Sequence, residues 1–343
     1  MTRLFPRTSP WLKRQTLAAL LAAATLSVPC LSWAQSPILI KFSHVAAADT
    51  PKGQAAEYFK KIVEERTKGK VKVEVFANSS LFKDKEELEA LQMGTVQMLA
   101  PVPGKFGPLG VKEFEVFDLP YIFKDIDAVH KFARGPAGAN LLKKLETRGV
   151  TGLAYWDNGF RVMSANKPIR TPNDAKGLKM RINSSKVNAA IMKAVGAQPQ
   201  SLAFSEVYQA LQTGVVDGTE GPLSNLYTQK QYEVQKHVTL TDHTISNYVV
   251  VANKKFWDGL PPDIRTTLET AIKDATEFND SVAEKDEAAA IAAIKASGKS
   301  TIYEPTAAEK DAWMKALLPV QTEMADRVGG KAFIDSVRTG TVN

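Results

Sequence analysis

"TPKGQAAEYFKKIVEERTKGKVKVEVFAN", residues 50–78, changes its hydrophobic period from helical to alternating within one stretch. Ala56, Phe59, Ile62 and Val63 keep the spacing of one helix face, and Gly69 closes that run. Val71, Val73 and Val75 then alternate with polar residues, the pattern of a half-buried strand. "PILIKFSHV" before this unit is a second strand pattern; "KDKEELEALQMG" and "TVQMLAP" after it read as helix and strand. Strand and helix in alternation predict an α/β fold with a mainly parallel or mixed sheet. The carboxylates of "KDKEELE" are explained at this level by solvation and i,i+4 pairing.

The unit recurs. "EALQMGTVQM" (89–98) and "QALQTGVVDG" (209–218) both end a helix with Ala-Leu-Gln, supply a glycine cap and enter a β-branched strand, 120 residues apart. Two similar lobes would produce this. The second begins near "DNGFRVMSANKPI", with a strand over 160–165, a capped turn at "TPNDAKG", a strand at "LKMRIN", and a helix at "FSEVYQALQTG" capped by Ser205. "YVVVANKKFWDGL" brings another strand. From Asp263 to Ser297 there is neither Gly nor Pro, and Ile264, Leu268, Ile272, Ala275 and Val282 keep helical spacing. Read as one helix, this is a strut of about 50 Å crossing both lobes; read otherwise, it is two helices with an unmarked break. Thr306 and Glu309 form a capping box for a later helix.

With 343 residues, 44% of them hydrophobic and 24% charged, the chain has ample core for two domains. Residues 1–34 read as a secretory signal peptide: Arg3, Arg7, Lys13 and Arg14, then "TLAALLAAATLSVPCLSW", then "SWA" with cleavage expected after Ala34. Cys30, the one cysteine, lies in this leader behind Pro29, a poor context for lipid attachment. A mature chain without cysteine has no disulfide, thiol nucleophile or thiolate metal site, and suits the bacterial periplasm. Losing the four leader cations leaves 40 basic against 37 acidic side chains, so +7 becomes +3 and nucleic acid is not an expected partner.

Enzyme signatures are scarce. The chain has no phosphate-binding glycine loop, no G-x-S-x-G and no H-E-x-x-H, and no cofactor is expected. His44, His130, His237 and His243 lack ligand spacing, so neither a metal site nor a catalytic residue is assigned. Asp217 and Glu220 in "VVDGTEGP" are the one acid/base pair worth naming, for a hydrolase or lyase acting on a carboxylate. Two arginines remain, Arg161 and Arg181, each mid-strand among apolar residues on what reads as a neighbouring strand pair. In "GLKMRINSSK" (177–186), Leu178, Met180 and Ile182 point one way while Lys179, Arg181 and Asn183 point the other. That polar side is either a solvated face or a cation held for an anion, and a guanidinium matches a carboxylate with two parallel bonds. Phe160 and Phe204 are available to wall a cleft.

"GFRVMSANKPIRTPNDAKGLKMRI", "VGAQP", "FSEVYQALQTGVVDGTE" and "YEVQKHVT" resemble the extracytoplasmic solute-binding proteins of tripartite ATP-independent periplasmic (TRAP) transporters. "KFSHVAAADTPKG", "FKDKEELEALQMGTVQMLAP" and "FGPLGVKEFEVFDLPYIFKD" resemble the DctP-type branch that binds C4-dicarboxylates such as malate, succinate or fumarate. The resemblance implies a periplasmic binding protein-like fold of two α/β lobes, hinge strands and a long helix spanning both. Lobe I would be 35–158 plus about 247–286, and lobe II 159–246 plus about 287–343. It implies a monomeric receptor, not an enzyme, that delivers a small organic acid to membrane permease subunits; a receptor serving a sensor kinase would use the same lobes. In the family, the "G-L-K-x-R" arginine, here Arg181, pairs with the ligand carboxylate; the "G-F-R" arginine, here Arg161, also reaches it; and the phenylalanine before "S-E-V-Y", here Phe204, lies against it. One position departs: the family reads "D-G-x-E-N-P" and this chain "DGTEGP", so Gly221 stands where an amide is expected, and a bulkier mono- or dicarboxylate becomes a second expectation. For the far end of a dicarboxylate, His44, Lys52 and Arg161 are the cationic candidates, and Asn225 and Ser184 the neutral donors.

Overall fold

The computed structural model describes residues 1–2 and 36–340, and the chain divides into the units Met1–Ser36 and Pro37–Asn343, of which the second is the folded body treated below. The expected leader, its cleavage point after Ala34, and Cys30 lie outside the described residues. Among the described residues no helix is long and apolar enough to cross a membrane.

The strands are β1 (Ile38–Ser43), β2 (Val71–Phe76), β3 (Met98–Leu99), β4 (Val150–Ala165), β5 (Lys179–Ile182), β6 (Gln198–Ser201), β7 (Gly218–Pro222), β8 (His237–Thr239), β9 (Ile245–Asn253) and β10 (Thr301–Tyr303). They form one sheet in the order β2-β1-β3-β9-β4-β7-β5-β6, with β8 bridging β4 and β10. The sheet is mixed. β1 runs parallel to β2 and β3, and β5 parallel to β6 and β7, whereas β9 is antiparallel to β3 and β4, and β7 antiparallel to β4.

Both faces are covered, and every residue of β9 is buried. Val249 and Val251 enter a core with Phe117, Phe132 and Leu145; Tyr248, Val250 and Ala252 enter a second core on the other face with Phe42, Phe59 and Trp156. Period-two alternation divides the strand between two buried surfaces, the mark of a central strand rather than a solvated one. Helix Pro51–Arg66 closes the second core with Ala55, Ala56, Phe59, Ile62 and Val63. Thr50 caps it by accepting from Gly53 N at 3.2 Å, and Pro51 occupies the first turn, where no donor is needed.

The glycine-free run is a single helix, Pro262–Ser297, of 36 residues. Its first half (Ile264, Leu268, Ala271, Ile272, Ala275) belongs to the core under β1 and β2, and its second (Ala290, Ile294) to a smaller core with Val162, Leu223, Leu226 and Val238. The 16 residues of β4 make the same passage, pairing with β9 along their first part and with β7 and β8 near their end. The capping box at Thr306 is present, Thr306 Oγ1 accepting from Glu309 N at 3.3 Å. Gly94 and Gly214 hold left-handed backbone, φ 76° and 72°, so the two helix–glycine–strand copies are alike in structure.

Several expected elements are shorter. Only Glu87–Gln92 of the first acidic segment is helical, and only Met98–Leu99 of the next is strand. The reason lies in "KDKEELE" itself: Asp84 and Glu87 do not face water but converge on the buried ammonium of Lys105, pulling the segment out of regular helix. Ser205 is not a cap. The chain enters helix Val207–Gln212 through a 3-10 turn, Phe204–Glu206, in which Glu206 Oε2 accepts from Ala203 N at 3.1 Å.

Candidate ligand site

The strands carrying the two arginines are not neighbours. β7 lies between them, with Arg161 on β4 opposite Pro222 and Arg181 on β5 opposite Thr219. Glu220, two residues from Pro222, is therefore the diagonal neighbour of Arg161, and the pair closes: Arg161 Nη1 donates to Glu220 Oε2 at 2.7 Å, both side chains buried. Burial would lower the pKa of Arg161, but Glu220 and then Asp118 outweigh it and the guanidinium is held more firmly protonated. Burial likewise opposes the charge of Glu220, and Arg161 overcomes it, leaving that carboxyl below its usual range. Glu220 Oε1 has no hydrogen-bond partner among the described residues.

Arg181 is placed differently. Its Nε and Nη2 both donate to Leu202 O, at 3.2 and 2.9 Å, and its Cζ lies 5.7 Å from the centroid of Phe204. Among the described residues it makes no ion pair, although it is only 6% exposed. Burial lowers its pKa, with Asp84 and Glu220 acting the other way from beyond salt-bridge distance. A guanidinium has five N–H donors, and two are used here on one carbonyl.

Arg161, Arg181, Phe204, Gly221 and Asn225 line one cavity, together with Asp84, Asn183, Thr219, Glu220, Ser246 and Tyr248; it encloses about 600 Å³ of unfilled space, part of it open to solvent. Asn225 arrives on helix Leu223–Thr228, where its Oδ1 accepts from Asn158 Nδ2 at 3.0 Å; Asn158 also donates to Tyr248 Oη at 2.8 Å. A Cβ built on Gly221 meets nothing within 4 Å, so this position opens onto free space.

Three expected residues are not in the wall. Lys52 stands behind Tyr248, its Nζ 3.6 Å from the ring centroid and donating to Ala100 O at 3.1 Å; burial brings its pKa down to about 7. His44 is fully buried, and burial, then Lys52, lowers its pKa to about 3. Ser184, past the end of β5, is exposed and lines an adjoining cleft with Ser201 and Leu202, which Arg181 and Asn183 also line. Asp217 and Glu220 do not converge as an acid/base pair: Asp217 Oδ2 accepts from Lys179 N at 2.8 Å, while Glu220 is bound to Arg161.

Sequence reasoning missed Tyr248 and, with more consequence, Asp84. It lines the cavity, forms an ion pair with Lys105, and accepts from Phe204 N, joining the segment before helix Glu87–Gln92 to the turn after β6. Burial opposes its charge, but Lys105 holds its pKa below the ordinary value. Its one signal was an acid at the polar start of a short helix, indistinguishable there from a solvated one. Asp118, near Arg161, is the converse: burial pushes its pKa up to about 7.

Residues 42–327 match the family described as "Bacterial extracellular solute-binding protein, family 7". The chain is 56% identical over 334 residues to the C4-dicarboxylate-binding periplasmic protein DctP of Rhodobacter capsulatus, covering 96% of this chain and 99% of that protein. Among solved structures, a TRAP periplasmic solute-binding protein of Shewanella oneidensis with bound succinate superposes with a TM-score of 0.86 at 42% identity, covering 89% of this chain and 99% of that one. One from Pseudomonas aeruginosa with bound L-malate gives 0.82 at 41% identity, covering 84% and 100%. Matched over most of its length, the chain belongs to the family 7 bacterial extracellular solute-binding proteins.

Proposed function

We propose that this chain is the periplasmic receptor of a TRAP transporter, that it captures a C4-dicarboxylate of the succinate or malate type in the cavity between β4, β5 and β7, and that it hands the ligand to membrane permease subunits. The relative that binds C4-dicarboxylates and the two neighbours with succinate and malate support the ligand class. The observation that carries the reading is the unequal state of the two arginines. Arg161 is neutralised by Glu220, whereas Arg181 is a buried cation facing the cavity without an ion pair among the described residues. A buried unpaired charge is costly, so an entering carboxylate that accepts its free N–H groups gains strongly.

In this reading Arg181 anchors one carboxylate, with Phe204 against the ligand, while Asn225, Tyr248 and the outer N–H groups of Arg161 serve the far end. Lys52 acts from behind Tyr248 as a field rather than a contact. The two lobes are 35–158 plus about 247–286 and 159–246 plus about 287–343; they close because the ligand binds both, which favours the closed form by differential affinity. No bond is made or broken.

Thermal unfolding of the purified mature chain against succinate, malate, fumarate and larger sugar acids tests this. A ligand at 100 times its Kd stabilises by about 2.7 kcal/mol. No shift with any carboxylate would sink the proposal. The open space at Gly221 favours one variant of it, a larger or more substituted acid, and a shift with sugar acids exceeding that with succinate would select that variant.

A further inference from the structure

We propose that His130, Asp157 and Asp280 form a binding site for a divalent transition-metal cation of the zinc class, separate from the ligand cavity. The three come from different elements: His130 from helix Ile126–Arg134, Asp157 from β4 just before its register shift at Phe160, and Asp280 from the long helix Pro262–Ser297. None lines the cavity that holds Arg181. Sequence spacing gave no hint of them because no two share an element.

The geometry is that of a facial set of one imidazole nitrogen and two carboxylate oxygens. One such atom from each residue lies within 4.8 Å of the others, and His130 Nε2 is 3.7 Å from Asp280 Oδ1. Around a tetrahedral zinc ion with bonds of about 2.0 Å, ligand atoms stand about 3.3 Å apart, so small rotations suffice. His130 also contacts Asp157 directly through Nε2.

The ligands are already oriented by outer partners, as metal ligands are. Arg134 holds the second oxygen of Asp280, and Asn279 Oδ1 accepts from Asp157 N at 2.7 Å. Asp157 is buried and stands beside Asp280. Two carboxylates that repel one another across one imidazole are relieved by a central cation. Beside them opens a cavity also lined by Asp125, Glu277, Glu284 and Glu287 against Lys124 and Arg134, which supplies an anionic field and room for a water ligand.

Binding ties helix Ile126–Arg134 to β4 and the long helix. The neighbour of Asp157, Asn158, donates to Asn225 and Tyr248 in the ligand cavity, so an ion here fixes the strand that carries that network.

Cobalt(II) titration of the mature chain, followed by visible absorption, tests the site. One ion per chain is expected, with the absorption of a four- or five-coordinate centre, weakened at least about tenfold in His130→Ala and in Asp280→Asn. Circular dichroism of each variant reports its fold. Absence of binding at millimolar cobalt, or binding unchanged in both variants, which marks a surface ion only, overturns the proposal. Should the variants not fold, an anomalous peak at His130 Nε2 in a zinc-soaked wild-type crystal sustains it, and no peak there overturns it.

Discussion

Arg161 and Arg181 flank β7 from opposite sides, and only Arg161 is matched by a carboxylate of that strand, Glu220, at 2.7 Å. The difference divides their surroundings: one guanidinium is paired within the fold, and the other faces the cavity without an ion pair among the described residues.

Replacing Arg181 with alanine is therefore expected to lower dicarboxylate affinity by about 2–5 kcal/mol. Arg181→Lys should also lose affinity, because a point charge cannot keep both bonds to Leu202 O and grip a carboxylate with a planar fork. Calorimetry on the two variants checks this, and unchanged affinity in both would remove Arg181 from the anchor role.

Glu220→Gln should separate folding from binding. Breaking a buried charge pair is expected to cost about 3–5 kcal/mol of stability. Affinity for a dianion should hold or rise, since Arg161 is left with uncompensated charge. Denaturant unfolding and calorimetry read the two effects independently; a stable variant that no longer binds would make Glu220 a ligand contact instead.

Gly221→Asn places a side chain into open space and should change stability by less than about 1 kcal/mol. It is expected to favour C4-dicarboxylates over bulkier acids by about tenfold, one good hydrogen bond gained and room lost. The ratio of dissociation constants for succinate and a sugar acid, before and after the substitution, is the measurement.

Burial holds His243 neutral, its pKa lowered from 6.5 to about 4. Between those values the unfolded chain binds a proton that the folded one refuses. The contribution is thus fully present above pH 6.5 and lost as pH falls toward 4, at up to about 1.4 kcal/mol per pH unit. Removing the group in His243→Gln should flatten the stability curve in that window by this slope. An unaltered slope would mean that His243 titrates normally in the fold.

Ligand binding should also take up protons near neutral pH. Asp118, raised to about 7, and Lys52, lowered to about 7, both favour their protonated forms when an anion arrives nearby. Affinity is then expected to fall as pH rises from 7 to 9, and calorimetry in buffers of different ionisation heat should show net uptake at pH 7. Zero uptake would place both groups out of the ligand's field.

What the sequence disclosed follows from how local each cause is. The helix Pro51–Arg66, the strand after it, the glycine caps and the 36-residue helix are written in spacing and caps within a few turns of the chain. Arg161, Arg181, Phe204, Gly221 and Asn225, named from sequence, do meet in one cavity. Asp84 escaped notice because the cation that buries it, Lys105, lies 21 residues further along. His44 and Lys52 were placed near the site by sequence, but the cores on which β1 and helix Pro51–Arg66 pack draw them inward, behind the wall. The insertion of β7 between β4 and β5 is a pairing choice made over tens of residues, which no local pattern records.

The position of β9 between β3 and β4 has a consequence for the order of events during synthesis. Everything from Ile38 to Ala165 can emerge and still lack the strand that joins β3 to β4, which is supplied by Ile245–Asn253. Until that strand is made, the first half of the chain cannot seal its sheet, and a truncation before residue 245 exposes two unsatisfied edges.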